Sequence, residues 1–480
     1  MDADTENFIC YECIGENYLK LEIERQGNIC KCSYCDNDEI ECYPLLDVAN
    51  RIDSAFEQHF LRSSESPPDY YSIEHLKSLD GWEPDGLPVV EAIADAAEIS
   101  EEAASDIQEI LAEKHYSRSA AEIGETTEFD IDSFYDRKEP DDREWQSQWA
   151  AFETSLKTKS RFFSKENEQL LASVFDNLNV LRTLDEKPII KTIGPDTDIT
   201  SLFRARAFQS DDKLEKALQQ PEKELGPPPP EFATAGRMNA RGISVFYGAT
   251  KVDTALCEIR PPVGSKVAVA KFNLMRQLKV LDLTALSTTT VEGSIFDISY
   301  SELVSKTMFL RKLSQRITRP IMPDDEHFDY LATQVIADFL AAEYGFDGII
   351  FPSAQSADGV NIIFFHHASG VEPIKHPKGT KVDVSLYDWY DEEQCPEYRI
   401  TTSIPKKENE KKEDTFYDIP WFHHIESSTE IRKDSLAIDL ESITIEHVSS
   451  VHIVTSSYSV TSTSHEERFQ QPDNTSEFTF

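Results

Sequence analysis

Four residues in separated positions have the types that chemistry at a bound ligand needs: Arg237, Tyr247, Glu258 and, much later, Ser353. The first three fall in AGRMNARGISVFYGATKVDTALCEIRP, residues 235–261, where Glu258 sits among Ala255, Leu256, Cys257 and Ile259. A carboxylate in apolar surroundings is costly unless it is paired or used. Taken singly, each residue has an ordinary reading. Arg237 would be a surface ion-pair partner, Tyr247 would alternate with Ile243 and Val245 into a core, and Glu258 would pair with Arg260 or Lys251. Taken together they suggest a site. Gly236 permits a tight turn beside Arg237, and Gly242 and Gly248 flank the strand that carries Tyr247. Ser353 and Asn361 lie in FPSAQSADGVN, a polar loop between two strand-like runs, which suits ligand binding.

A second cluster is made of thiols. Six of the eight cysteines fall between Cys10 and Cys42. Cys10 and Cys13 form one CxxC, and Cys32 and Cys35 form another, with Cys30 and Cys42 to spare. Such paired knuckles read as a structural zinc site in which four thiolates close a tetrahedron. Four protein ligands leave no open position, so the metal would serve folding rather than catalysis. The competing reading is a set of reduced, buried thiols.

The elements that must position these groups follow from periodicity. LLDVANRIDSAFEQHFL places Leu45, Val48, Ile52, Phe56 and Phe60 at helical spacing. PVVEAIADAAEISEEAASDIQEILAEKHY predicts two helices, with Ser100 capping the second. REWQSQWAAFETSLKTKSRFFSKENEQLLASVFDNL predicts one or two more, with Trp145, Trp149 and Phe152 on one face. SESPP and DRKEPDD read as loops. From Lys187 the composition turns to strands. GPPPP cannot be regular helix or central strand, and it reads as a rigid spacer ahead of the alternative, bait for a proline-binding module. GISVFYG, KVAVAKFNL and KVLDLTAL are strands, and DTALCEIR is a short helix capped by Asp253. FDYLATQVIADFLAAEYG is an amphipathic helix that Gly345 stops. DGIIFPSAQSADGVNIIFFHH gives strand, loop and strand. PKKENEKKED is a charged linker, and LAIDLESITIEHVSSVHIVTSSYSVTSTS alternates as an antiparallel appendage. The doublets His366–His367 and His423–His424 are poor metal sites, because neighbouring strand side chains point to opposite faces.

Composition excludes several classes. The formal net charge of −41 argues against general nucleic-acid binding, which needs clustered Lys and Arg. It leaves room for a small anion held by a few local arginines, and it favours a basic partner. No apolar run approaches the roughly 20 residues of a membrane span. The acidic start, MDADTENFIC, is unlike a secretory signal, so a cytoplasmic location is expected. The domains expected are 1–44, a Cys-rich zinc module; 45–190, an acidic helical domain; 191–376, a mixed α/β catalytic domain; and 377–480, a linker with a small β-rich extension. The fold class is thus α+β and multidomain.

The blocks LFRAR, GRMNARGISVFYGATKVDTALCEIRP, GIIFPS and GVNIIFF together resemble the RES domain, named for its Arg, Glu and Ser, over about Thr192 to His376. The N-terminal region is similar to the HEPN/RES N-terminal domain 1. The arginine–histidine pair that HEPN ribonucleases carry at short spacing has no counterpart here, so RNA cleavage is not expected. The RES resemblance implies a fold like the ADP-ribosyltransferase toxins. It also implies a toxin that consumes NAD+ by hydrolysis or phosphorolysis, restrained by an antitoxin or another regulatory protein. On the matching positions it implies catalytic roles for Glu258, Arg237, Tyr247 and Ser353, and substrate contacts from Arg204, Asn239 and Asn361. Glu258 would stabilise the ribosyl cation, Arg204 and Arg237 would meet the pyrophosphate, Tyr247 would stack on nicotinamide, and Ser353 would bond the ribose or the carboxamide. NAD+ would be a substrate, since no Rossmann glycine motif precedes a helix. Two alternatives keep the fold: an ADP-ribosyltransferase acting on a macromolecule, or an inactive ligand-binding adaptor. The N-terminal half would bind a partner or a second copy of the chain.

Overall fold

The computed structural model describes residues 7–63, 85–119, 126–160, 164–319, 321–390, 393–405 and 432–463. His423–His424, the SESPP loop and most of the charged linker lie outside them. Among the described residues, no helix is long and apolar enough to cross a membrane.

The first body runs β1 (Phe8–Cys10), α1 (Asn17–Gln26), β2 (Asn28–Cys30), β3 (Ile40–Pro44), α2 (Leu45–His59), β4 (Phe60–Arg62), β5 (Leu87–Pro88), α3 (Val89–Ala97), α4 (Glu101–His115) and β6 (Phe134–Arg137). The helical periodicity is realised: Leu45, Val48, Ile52 and Phe56 of α2 are buried against Ile93 of α3 and Ile107 of α4. Ser100 caps α4 as expected, its hydroxyl accepting from the Ala103 N–H at 3.3 Å. Strands β1, β3 and β2 form a small sheet that carries the cysteines.

Two helices follow, α5 (Arg143–Thr158) and α6 (Lys165–Phe175). Their buried residues belong to the core of the second body and not to the apolar cluster of the first. Trp149, Phe152, Leu156, Leu171 and Phe175 share one core with Phe309, Leu313, Ile336, Leu340, Ile349 and Ile363. This apolar cluster takes residues from both sides of position 190. The contact face of α5 was legible, but the surface it covers lies more than a hundred residues away.

The second body contains β7 (Arg182–Thr183), β8 (Ile190–Ile193), β9 (Ser201–Phe208), α7 (Asp211–Gln219), α8 (Pro221–Glu224), β10 (Phe246–Ala249), α9 (Val252–Glu258), β11 (Lys266–Leu274), β12 (Leu278–Asp282), α10 (Leu283–Leu286), β13 (Thr289–Thr290), α11 (Ile298–Thr318), α12 (Glu326–Glu343), β14 (Gly348–Pro352) and β15 (Val360–Phe364). After these come β16 (Gly370–Val371), β17 (Lys381–Tyr390), β18 (Glu393–Ser403) and β19 (Asp434–His447). Nine strands make the main sheet, in the order β16-β19-β11-β9-β10-β15-β14-β12-β8. Among the described residues, only β12–β14 and β16–β19 pair in parallel.

Strand alternation sorts the side chains onto two cores. Ile349, Phe351, Ile363 and Phe365 face α5, α6, α11 and α12; Ile350, Ile362 and Phe364 face α7 and the β17–β18 hairpin. The C-terminal region does not stand apart. β19 pairs along β11, with Leu274 opposite Leu436 and Lys266 opposite His447. Two further local expectations shift. Lys251, not Asp253, occupies the N-cap of α9, with no side-chain cap bond. His366–His367 form a 3-10 turn, where His366 Nδ1 lies 2.9 Å from the Ser244 carbonyl and His367 Nε2 lies 3.5 Å from Asp347. Gly345 ends α12 at φ +61°, as anticipated.

Phe309 ties α11 to α5, with its ring 5.8 Å from that of Trp145 and 5.7 Å from that of Trp149. Phe309→Ala should cost about 4 kcal/mol in denaturant unfolding followed by tryptophan fluorescence. A loss below about 1 kcal/mol would mean that this junction is peripheral to the core.

Candidate functional site

The site is assembled by sheet register. Asn361, at the start of β15, lies between Ala249 of β10 and Phe351 of β14. Ala249 ends β10, and the chain turns at once into α9, whose last residue is Glu258. Phe351 is followed by Pro352 and then Ser353, just beyond β14. Three groups distant in sequence are thereby brought to one strand end.

Their geometry is specific. Glu258 Oε1 accepts from the Ser353 hydroxyl at 2.5 Å and from Asn361 Nδ2 at 2.7 Å. Ser353 Oγ itself accepts the N–H groups of Gln355 and Ser356 at 3.0 and 3.1 Å. Those two acceptances fix the hydroxyl rotor, so its proton points at Glu258. Asn361 is buried, whereas Glu258 is exposed. The carboxylate is thus not enclosed in an apolar turn, as its sequence neighbours suggested. Among the described residues it has no ion pair with Arg260 or Lys251.

Glu258 lines a cavity of about 440 Å³ together with Arg204, Arg237, Tyr247, Arg260, Tyr330 and Asn361. Arg204, on β9, donates from Nη1 to the Tyr247 carbonyl at 3.1 Å and lies over the Phe246 ring at 5.2 Å. Burial, then the neighbouring charge of Arg206, pushes Arg204 down to about 10, so it stays cationic at neutral pH. Arg237 caps a helix. The last carbonyls of α11 have no partner within the helix, and Arg237 supplies one: Nη1 donates to Ile317 O at 2.6 Å and Nη2 to Arg319 O at 3.0 Å. Its guanidinium also lies 5.4 Å from the Tyr330 ring.

Tyr247 is held by its hydroxyl, which donates to Asn239 Oδ1 at 3.0 Å and accepts the Met238 N–H at 3.2 Å. Burial raises its pKa well above the usual phenol value, so the hydroxyl keeps its proton. The turn around it has no room for a side chain at Gly236. A Cβ there would come within 2.6 Å of Asn239 Oδ1 and 2.9 Å of the Tyr247 hydroxyl. Helix α12 braces the same turn, with Gln334 Nε2 donating to Gly236 O at 2.8 Å and Asn239 O at 3.0 Å.

Two anticipated site residues are not in the cavity lining: Ser353, which reaches it through its bond to Glu258, and Asn239. Asn239 is 4% exposed, and its Nδ2 is spent on the carbonyls of Thr234, Ala240 and Ile243 at 2.9, 3.3 and 3.1 Å. Asn239 organises the turn that carries Arg237 and Tyr247. Conversely, sequence reasoning gave Arg260 no part in a ligand site and passed over Tyr330 and Gln355, all of which line the cavity. In the sequence Arg260 reads only as a partner for Glu258. Tyr330 sits in an amphipathic helix whose periodicity says nothing of a ligand.

Residues 202–386 match the family model described as the RES domain. This RES domain holds every group of the cavity named above. No curated protein matches the chain. Among solved structures, one chain of the M. tuberculosis MbcT-MbcA toxin-antitoxin complex is similar at 15% identity. The likeness covers 35% of this chain and 74% of that one, with a TM-score of 0.19.

Outside the RES domain, Cys10, Cys13, Cys32 and Cys35 bring their Sγ atoms within 4.8 Å of one another and could hold a metal ion. Cys10–Cys13, Cys10–Cys35 and Cys13–Cys32 are 3.6, 3.7 and 3.8 Å apart. Cys32 Sγ accepts the Tyr34 N–H at 3.4 Å. Cys42 turns away, its thiol directed at the Ile40 carbonyl at 3.3 Å.

Because Asn239 satisfies three carbonyls and a tyrosine hydroxyl, Asn239→Ala should lower stability by about 3 kcal/mol, readable as a lower Tm. An unchanged Tm with lost ligand binding would instead make Asn239 a ligand contact.

Proposed function

We propose that this chain consumes NAD+, cleaving the bond between nicotinamide and ribose, with water or inorganic phosphate as acceptor. The observation that carries the reading is the two-donor clamp on Glu258 Oε1. It fixes the carboxylate at the cavity rim and leaves Oε2 for the substrate. Heterolysis of a glycosidic bond builds positive charge on the ribose, and a pre-oriented carboxylate stabilises that charge with little reorganisation. Ser353 acts through Glu258 in this scheme, since its proton is already given to Oε1. Nicotinamide leaves as a neutral base, so no general acid is required. The Tyr247 ring, anchored by its hydroxyl, offers a face to the departing ring. Arg204 and Arg237 set a positive field for the pyrophosphate. The RES domain match supports the same reading. In it the chain is a toxin or defence effector, and a protein that covers the cavity would restrain it.

The cysteine cluster fits zinc. Four thiolates at the usual Zn–S distance of about 2.3 Å stand about 3.8 Å apart at the corners of a tetrahedron, close to the spacings found here. Zinc would cross-link the small β1–β3–β2 sheet and contribute folding energy to the first body.

Purified protein incubated with NAD+, with and without phosphate, should release nicotinamide, and mass spectrometry of the other product identifies the acceptor. Adducts on a macromolecule would identify a transferase instead. Glu258→Gln should reduce turnover about a thousandfold with Tm unchanged. No nicotinamide under any condition from folded protein would refute the proposal. For the metal, Cys13→Ser should abolish a stoichiometric zinc measured by mass spectrometry and lower the Tm of the first body. Zinc content equal to that of the native chain would exclude the four-thiolate site.

A further inference from the structure

Three arginines line the cavity, but they are not equivalent. Arg204 gives Nη1 to a carbonyl and lies on a phenylalanine ring. Arg237 spends both terminal nitrogens on the end of α11. Among the described residues, the guanidinium of Arg260 has no hydrogen-bond or ion-pair partner, so its whole planar fork of donors is available.

Its backbone is unusual as well. Arg260 has φ +45°, in the left-handed region that favours glycine, and it precedes Pro261, which further restricts it. The turn is closed by the Arg260 N–H donating to Cys257 O at 3.2 Å. A glycine would satisfy this backbone better. What an arginine adds is a cation in the cavity wall, two residues beyond Glu258, in a chain of net charge −41. A guanidinium with free donors at a concave site suits a phosphate oxyanion, which it can bind in bidentate fashion.

We propose that Arg260 is a phosphate-binding residue of this cavity, gripping either the pyrophosphate of the dinucleotide or an inorganic phosphate that enters as acceptor beside Glu258. The choice of source rests on the NAD+ reading; the phosphate chemistry does not. Strain at residue 260 is then a stability cost borne for binding.

The test uses the full chain and three probes: inorganic phosphate, inorganic pyrophosphate and ADP-ribose, each titrated by calorimetry. Arg260→Gln should weaken binding at least tenfold. Loss confined to pyrophosphate and ADP-ribose, with a matching rise in KM for NAD+, assigns the dinucleotide. Loss confined to inorganic phosphate, with a rise in its KM, assigns the acceptor. Arg260→Gly should weaken binding as much while raising the Tm, a combination that a merely structural arginine would not produce. Affinities and KM values equal to those of the native chain in both variants would overturn the proposal. Arg260-dependent pyrophosphate binding without any nicotinamide release would keep the phosphate site and reject the NAD+ reading. Nicotinamide release that is indifferent to Arg260 would do the reverse.

Discussion

The convergence of Ser353 and Asn361 on one oxygen of Glu258 is the constraint around which the second body is arranged. It depends on the pairing of three strands. β15 must lie between β10 and β14, with Asn361 opposite both Ala249 and Phe351. A slip of one residue would turn Asn361 to the opposite face and leave Glu258 with the serine alone. The register is held from both sides of the sheet. Ile363 and Phe365 are committed to one core and Ile362 and Phe364 to the other, so slippage would bury the wrong set.

The cationic side of the cavity depends on the helices. Arg237 reaches it from a turn whose inner surface is the Asn239 amide and the Tyr247 hydroxyl, and whose outer surface is braced by Gln334 of α12. Its guanidinium closes the end of α11. Helix α5 contacts both supports: Arg316 Nη2 donates to Gln146 Oε1 at 3.0 Å, and Lys157 pairs with Asp329 at 3.3 Å. Helices outside the matched RES domain are thus continuous with the packing that holds one wall of the cavity. The first body makes a narrower junction, in which Phe296, from the segment before α11, is buried in its core.

The two clusters of chemically capable side chains follow different logics. The four thiols are close in sequence: Cys10 ends β1, Cys13 lies in the 3-10 turn that follows, and Cys32 and Cys35 lie in the loop after β2. The carboxylate, amide, hydroxyl and arginines are spread from Arg204 to Asn361 and need a complete sheet. A local metal knuckle can form in a small module, whereas the cavity exists only when the whole of the second body is folded.

The sequence by itself determined whatever depends on near neighbours. The helical faces of α2, α4 and α5, the Ser100 cap, the Gly345 stop and the paired CxxC knuckles are set by residues a few positions apart, where periodicity and backbone preference act. It also marked Arg237, Tyr247, Glu258 and Ser353 as chemically apt and oddly placed. Only the tertiary structure decided which of them meet. Asn239 turned inward to three carbonyls, Arg260 came to line the cavity with no partner for its guanidinium among the described residues, and Glu258 proved exposed and clamped. β19 completed the sheet rather than forming an appendage, and α5 and α6 joined a core whose other half lies beyond Leu281. These outcomes rest on contacts across long stretches of chain, fixed by strand register and by which apolar faces cover one another, and no local pattern encodes them.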